Sequence, residues 1–185
     1  MSAQIANETL NLLKTKNWHS ISVSLISKKL KGKKILKIIK NKNDLLININ
    51  HYFDDVLKNK VKKIEKSSNS DMLFEIIMMR FDLLNKYRLS ILKIYYFYKK
   101  NPKNFLLILP SFINSFRMMA KSSNLEIRSI IGNFKAISIM IIYFSTFLTW
   151  VKDNSSSLEK TMTVLNSNIE KLNSLEKLLK KNKCL

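Results

Sequence analysis

Glycine and proline are almost missing from this 185-residue sequence, which holds Gly32, Gly132, Pro102 and Pro110 and no others. All-β folds need many tight turns, and parallel α/β folds need glycine-rich crossovers, so neither can be the main architecture. Cysteine is nearly absent too. The single Cys184 can build no disulfide framework and no cysteine metal cluster within one chain, which fits a reducing cytoplasm. A glycine-rich phosphate loop is missing, which removes the usual modes of nucleotide binding. His19 and His51 lie 32 residues apart and match no zinc spacing. Acids are scarce, with 13 Asp and Glu against 33 Lys and Arg, for a net charge of +20. Asp54 and Asp55 are adjacent, and helix neighbours point about 100° apart, so they do not share one site. Asp82 follows Arg80-Phe81 and Asp153 ends a helix beside a capping segment, so structural roles are expected for both. No catalytic residue, metal site or cofactor is expected, and the chain reads as a non-enzyme.

Long apolar runs are also short in supply. The longest uncharged stretch, Ala136 to Val151, has sixteen residues and includes Ser138, Ser145, Thr146 and Thr149. A bilayer span needs roughly 20 apolar residues, so a buried helix is expected and no transmembrane segment. The start, Met1 to Ile5, has neither the basic opening nor the apolar core of a signal peptide, and a cytoplasmic location is expected.

What is present suits long helices. Apolar residues make up 46% of the chain, enough for a real core. The expected fold is all-α, with about nine helices in two parts: a three-helix head over 1–50 and a helical body over 51–185. The spacing of Ile5, Thr9, Leu12 and Leu13 predicts a first helix from Ser2 to Lys16. Ser22 is a good N-cap for a second helix carrying Val23, Ile26 and Leu30. A third is expected from Gly32 to Lys40, with Ile35, Leu36 and Ile39 inward. Asn43 can cap the fourth, with Asp44 in its first turn and apolar positions as far as Ile64. Ser67 to Ser70 reads as a linker. Helices follow over Asp71–Tyr87 and Leu89–Lys100. Pro102 suits the start of a seventh, which Pro110 splits or restarts. Asn124 to Lys152 reads as a long apolar helix, and Ser156-x-x-Glu159 as the capping box of the last.

The placement of charge says more than its total. The sequence has 29 Lys against 4 Arg, with 20 Asn and 23 Ile, a bias that an AT-rich genome produces whatever the function. Yet no acid lies between Glu8 and Asp44, while ten lysines do, seven of them from Lys28 to Lys40. Lys33, Lys34, Lys37 and Lys40 fall on the outer side of the third helix. A short basic helix docked on two others is the geometry that enters a major groove. Duplex DNA is the expected partner, with a solvated lysine face and an acidic protein or lipid surface as the competing readings.

Aromatic residues gather in the second half with Met72, Met78, Met79, Met118, Met119 and Met140. A plain core accounts for most of this, and a pocket for a flexible apolar ligand is the sharper alternative. In the last helix, Leu158, Met162, Leu165, Ile169, Leu172 and Leu179 repeat at three- and four-residue steps. Such a narrow stripe suits one partner helix, in the same chain or across a dimer.

Three segments are familiar in form: Ala6-x-x-x-Leu10-x-Leu12-Leu13, Ser20-Ile21-Ser22-Val23-x-x-Ile26, and Lys40-Asn41-Lys42-Asn43-Asp44-Leu45-Leu46. Together they resemble the head of TetR-type helix-turn-helix regulators. Two further segments are Leu73-Phe74-Glu75-x-x-Met78-x-Arg80-Phe81-Asp82-x-Leu84 and Trp150-Val151-x-Asp153-x-Ser155-x-x-Leu158-x-x-Thr161-Met162-x-x-Leu165. They resemble an alphaproteobacterial TetR-fold subgroup, itself similar to the ubiquinone-biosynthesis accessory protein of the COQ series. That protein keeps the fold but holds an isoprenoid lipid instead of reading DNA. The resemblance implies a homodimer whose interface includes Leu158, Leu165, Ile169 and Leu172. It places Lys33, Lys34 and Lys37 at DNA-facing positions and Lys42 at a phosphate-contacting one. It implies a ligand pocket among Phe81, Tyr95, Phe112, Phe116, Met119, Tyr143 and Phe147, for an apolar small molecule or an isoprenoid lipid. Peripheral contact with a membrane stays open as well. The sequence departs from the family at the turn before the third helix, where Lys28-Lys29-Leu30-Lys31 replaces Ala-Ala-Gly-Val and is about two residues short. Leu36 and Ile39 stand where Tyr and Phe are usual.

Overall fold

The computed structural model describes residues 2–32, 35–65, 67–125 and 130–181. These residues form nine α-helices and one 3-10 turn, with no strand among them, so the all-α expectation holds. In chain order the helices are α1 (Ser2–Thr15), α2 (Val23–Lys29), α3 (Ile35–Ile38), α4 (Lys42–Val61) and α5 (Asn69–Lys86). They continue with α6 (Arg88–Lys100), α7 (Pro102–Ser122), α8 (Ile130–Lys152) and α9 (Glu159–Lys181). The 3-10 turn spans Trp18–Ser20, between α1 and α2.

The chain divides into two compact units, one made of 1–59 and 82–115, the other of 60–81 and 116–185. Helices α5 and α7 each pass from one to the other. Pro110 lies inside α7 and neither splits nor restarts it, contrary to expectation. An interior proline gives up the hydrogen bond to the carbonyl four residues back and crowds that carbonyl, at a cost of about 3 kcal/mol.

In the first unit, Ile5, Leu10, Leu13, Ile21, Ile26, Ile35, Leu45, Ile49 and Phe53 are buried. Helix α6 packs on α1, and its polar groups finish that helix. Lys93 Nζ donates to the carbonyls of Leu13 (2.7 Å), Lys16 (3.1 Å) and Lys14 (3.3 Å), and Ser90 Oγ donates to that of Leu10 (2.7 Å). A cation over the last carbonyls of a helix satisfies acceptors that have no helical donor and offsets the dipole.

Helix α2 starts where the sequence predicts, with Ser22 Oγ accepting from Leu25 N at 3.1 Å. It ends in a Schellman motif. Gly32 N donates to the Ser27 carbonyl and Lys31 N to that of Lys28, both at 3.2 Å. Lys31 holds the left-handed position at φ 50°, where glycine is usual. For a lysine that costs about 1–2 kcal/mol. Helix α4 is capped by Asn41, not by Asn43. Asp44 N donates to Asn41 Oδ1 (3.0 Å), and the Asp44 carboxylate accepts from Lys40 N (2.8 Å) and Asn41 N (3.2 Å). Two donors at the helix start are thereby satisfied reciprocally. The helix ends at Val61, so Ile64 lies beyond it.

Between α4 and α7 runs a buried polar chain. Asn50 Nδ2 donates to Ser115 Oγ (2.8 Å) and Ser111 Oγ (3.0 Å), and Ser115 Oγ donates to Asp54 Oδ2 (2.6 Å). Asp55 points away, is exposed, and pairs with Lys58 at 3.6 Å.

In the second unit, the expected linker residues Asn69 and Ser70 already belong to α5, which Ser68 caps by accepting from Asp71 N at 3.2 Å. Helix α8 packs along α9. Ala136, Ile139, Ile142, Tyr143 and Trp150 are buried on α8, with Leu158 just before α9 and Leu165 and Ile169 on it. By length and composition α8 could also cross a bilayer. The expected Ser156–Glu159 box is replaced by an acid from farther back. Asp153, 1% exposed, accepts from Thr161 N (2.9 Å), Thr161 Oγ1 (2.8 Å), Ser155 N (3.1 Å) and Ser155 Oγ (2.6 Å). Burial alone would raise its pKa, but these donors outweigh burial and hold the carboxyl below the ordinary range.

Candidate nucleic-acid interface and ligand site

Helix α3 is one short turn, not the nine residues the sequence predicts. Its buried side chain is Ile35; Ile39, the residue after it, is buried too, and Ile39 N closes the turn onto the Ile35 carbonyl at 2.8 Å. At about 100° per residue these two fall within about 40° of each other, and Lys37 is diametrically opposite. Leu36 and Ile38 flank Lys37 on either side. Leu36 is 52% and Ile38 55% exposed, so the inward position expected for Leu36 is corrected. A helix this short has one inner edge, which Ile35 and Ile39 fill. Lys37 and Lys40 are exposed, as are Lys28 and Lys29 at the end of α2 and Lys31 in the turn after it. Lys29 reaches Glu8 at 3.8 Å across the surface. Lys33 and Lys34 lie outside the described residues.

Lys42 opens α4 and is half-buried. Its ammonium donates to the carbonyl of His19 and, at 3.1 Å, to that of Trp18. Burial lowers its pKa. An ammonium has three donors, so one stays available after both carbonyls are served. Lys42 thus ties the start of α4 to the 3-10 turn. Trp18 is itself buried beside Tyr98, at 6.3 Å between ring centroids, and the Tyr98 hydroxyl donates to Asn43 Oδ1 at 2.9 Å. Burial pushes Tyr98 up to about 12.

The seven expected pocket residues divide between the units. In the second unit Phe81 stacks on Tyr143 (5.1 Å), Phe116 meets Tyr143 (5.1 Å), Tyr143 stacks on Phe147 (6.5 Å), and Phe147 on Trp150 (5.3 Å). Met119 is fully buried in the same unit. Arg80, buried with them, holds its guanidinium 5.8 Å from the Tyr143 ring centroid, within cation–π range. In the first unit, Tyr95 contacts Tyr96 (5.2 Å), and Phe112 contacts Phe105 (5.9 Å).

Of the four expected interface residues, Leu158, Leu165 and Ile169 are buried within the single chain, and Leu172 is half-buried. The Leu179 side chain lies outside the described residues. The apolar side chains that face outward are different. On α8 they are Phe134 (65% exposed), Ile137, Ile141 (61%) and Leu148, and on α9 Met162 and Leu175. Phe134, Ile137, Ile141 and Leu148 step by three, four and seven residues, a continuous stripe along one helix face. The sequence pattern hides this stripe because α8 is apolar on nearly every side.

No protein-family profile and no curated protein matches the sequence. In structure the chain is similar to a TetR transcriptional regulator from Nitrosomonas europaea. The TM-score is 0.71, over 92% of this chain and 96% of that one, at 15% sequence identity. The fold is therefore TetR-like.

Proposed function

We propose that this chain is a homodimeric DNA-binding regulator that meets duplex DNA through α3. The observation that carries the reading is the division of α3 into two faces. Ile35 and Ile39 anchor it to the head, while Lys37 and Lys40 stand exposed in a segment free of acids from residue 9 to 43. Lysines so placed neutralise phosphates and position the protein on the duplex. Lys42 adds its third donor at the start of α4, and Lys33 and Lys34 add charge to the same stretch of sequence. The TetR-like fold supports the reading, since the similar structure is that of a transcriptional regulator. The role is binding, with no catalytic step.

The dimer forms through the outward stripe of α8 and the exposed apolar residues of α9. An apolar stripe of that length is unusual on a monomer surface and suits a four-helix contact between two copies. Leu158, Leu165, Ile169 and Leu172 support it from beneath by holding α9 to α8.

The reading of an isoprenoid carrier rests on the resemblance to the quinone accessory protein. The rings of Phe81, Phe116, Tyr143 and Phe147 already contact one another. A ligand of either kind among them would have to part those contacts, and it is the exposed basic side of α3 that favours the regulator.

The test is titration of the full chain with duplex DNA as salt rises. Affinity should fall steeply, and changing Lys33, Lys34 and Lys37 together to Glu should abolish it. Unchanged binding in that variant would remove α3 from the interface.

A further inference from the structure

The outward face of α3 holds an unusual set of groups for a surface that meets DNA. Over residues 35–39 the exposed side chains are Leu36, Lys37 and Ile38. Of the side chains that read base edges by paired hydrogen bonds, Arg, Asn and Gln are absent there and Lys37 alone is present. Lys37 is a point charge on a flexible stem and selects a base weakly. Two apolar side chains flank it, each more than half exposed, inside a strongly basic segment. Single exposed apolar residues are ordinary. A pair placed on both sides of the central outward lysine is a pattern.

We propose that Leu36 and Ile38 determine specificity by burying thymine C5-methyl groups in the major groove, so that the ligand is A·T-rich duplex DNA. This rests on the DNA-binding reading above and deepens it. Thymine presents a methyl group in that groove, and apolar side chains recognise it by removing it from water. The lysines supply charge complementarity to the phosphates on either side. Affinity then comes from the ammonium groups, and base preference from the two aliphatic side chains. A methyl buried this way changes affinity about fourfold, so two per head give about fifteenfold.

The experiment compares two duplexes of alternating dA and dT, identical except that every dT in the second is replaced by dU, which lacks the methyl. The full chain should bind the first about fifteenfold more tightly for each head engaged. In the double variant Leu36→Ala/Ile38→Ala, affinity for the dT duplex should fall to that for dU, with an unchanged salt slope. Both residues are exposed, so the variant should keep the helical circular dichroism of the parent. Equal affinity of the parent for the two duplexes would overturn the inference while leaving DNA binding intact. So would a dT preference that survives the double substitution. Failure to bind either duplex would overturn the DNA-binding reading itself, and the inference with it. If the pair instead governs binding to phosphatidylglycerol vesicles while both duplexes bind equally, the face belongs to a lipid surface and the inference is wrong.

Discussion

Asp153 and Thr161 are joined twice: one carboxylate oxygen accepts both the main-chain N–H of Thr161 at 2.9 Å and its hydroxyl at 2.8 Å. The pair bridges the turn between α8 and α9, and Ser155 fills the other oxygen. The same turn is tied further by Ser155 Oγ, which accepts from Glu159 N at 3.2 Å.

Asp153→Ala should therefore destabilise the protein by about 3 kcal/mol, the cost of leaving buried donors without their charged acceptor. Thermal unfolding would show it as a clear drop in Tm. The pH dependence has a definite sign. The folded-state pKa is lowered, so the stabilisation is full above the unfolded value of about 3.9 and is lost as pH falls toward the folded value. Asp153→Asn should flatten the acid limb of the stability curve below about pH 4.

Lys37 and Lys42 should separate when each is changed to Ala. Lys37 is exposed, so its loss should leave Tm unchanged and lower the salt slope of DNA binding by about 0.9 per phosphate contact. Lys42 holds two carbonyls, so its loss should cost about 1–2 kcal/mol of stability as well as affinity. Equal stability losses in both variants would refute the structural role given to Lys42.

The two layers of the α8–α9 pair should respond differently to a charge. Leu165 is fully buried within the chain, and Leu165→Asp should cost about 3–5 kcal/mol and unfold it. Ile141 is 61% exposed, and Ile141→Asp should give a folded monomer. Sedimentation with circular dichroism distinguishes the two outcomes. A parent chain that sediments as a monomer at high concentration would remove the dimer.

Lys31→Gly should stabilise the protein by about 1 kcal/mol, because the left-handed position no longer carries a side chain. Chemical denaturation of the full chain measures this, and a loss of stability would count against the strain assigned there.

Helix existence was legible where pattern and cap lie close together. Ser22 sits three residues before the amide it caps, and the periodicity of Ile5, Leu12 and Leu13 needs no partner to be seen. The misses share one cause, the dependence of a residue on something distant in sequence. Asp153 caps from eight residues back, across a turn whose Leu158 takes φ 55°. Lys42 reads as an outward charge until the carbonyls of Trp18 and His19, more than twenty residues earlier, are brought to it. Leu36 reads as core because helical periodicity assumes several turns, whereas α3 has one. Of the candidate site, the exposure of Lys37 was legible, while the apolar flanks beside it and the outward stripe of α8 were not. Neither exposed set breaks the hydrophobic pattern that a buried helix would show.

The turn between α2 and α3 is closed by main-chain hydrogen bonds from Leu30, Lys31 and Gly32 and by the hydroxyl of Ser27, which donates to the Gly32 carbonyl at 3.1 Å. None of them uses a lysine side chain. A Cβ on Gly32 would come within 3.1 Å of the Ile35 side chain, which would have to give by a few tenths of an ångström. The hydrogen bonds that shape this stretch and its side-chain charges are consequently separate. Lys28 and Lys31 enter this closure through main-chain groups alone, and the Lys29 ammonium faces Glu8 instead. Side-chain charge on this stretch can therefore change without touching the hydrogen bonds that close the turn.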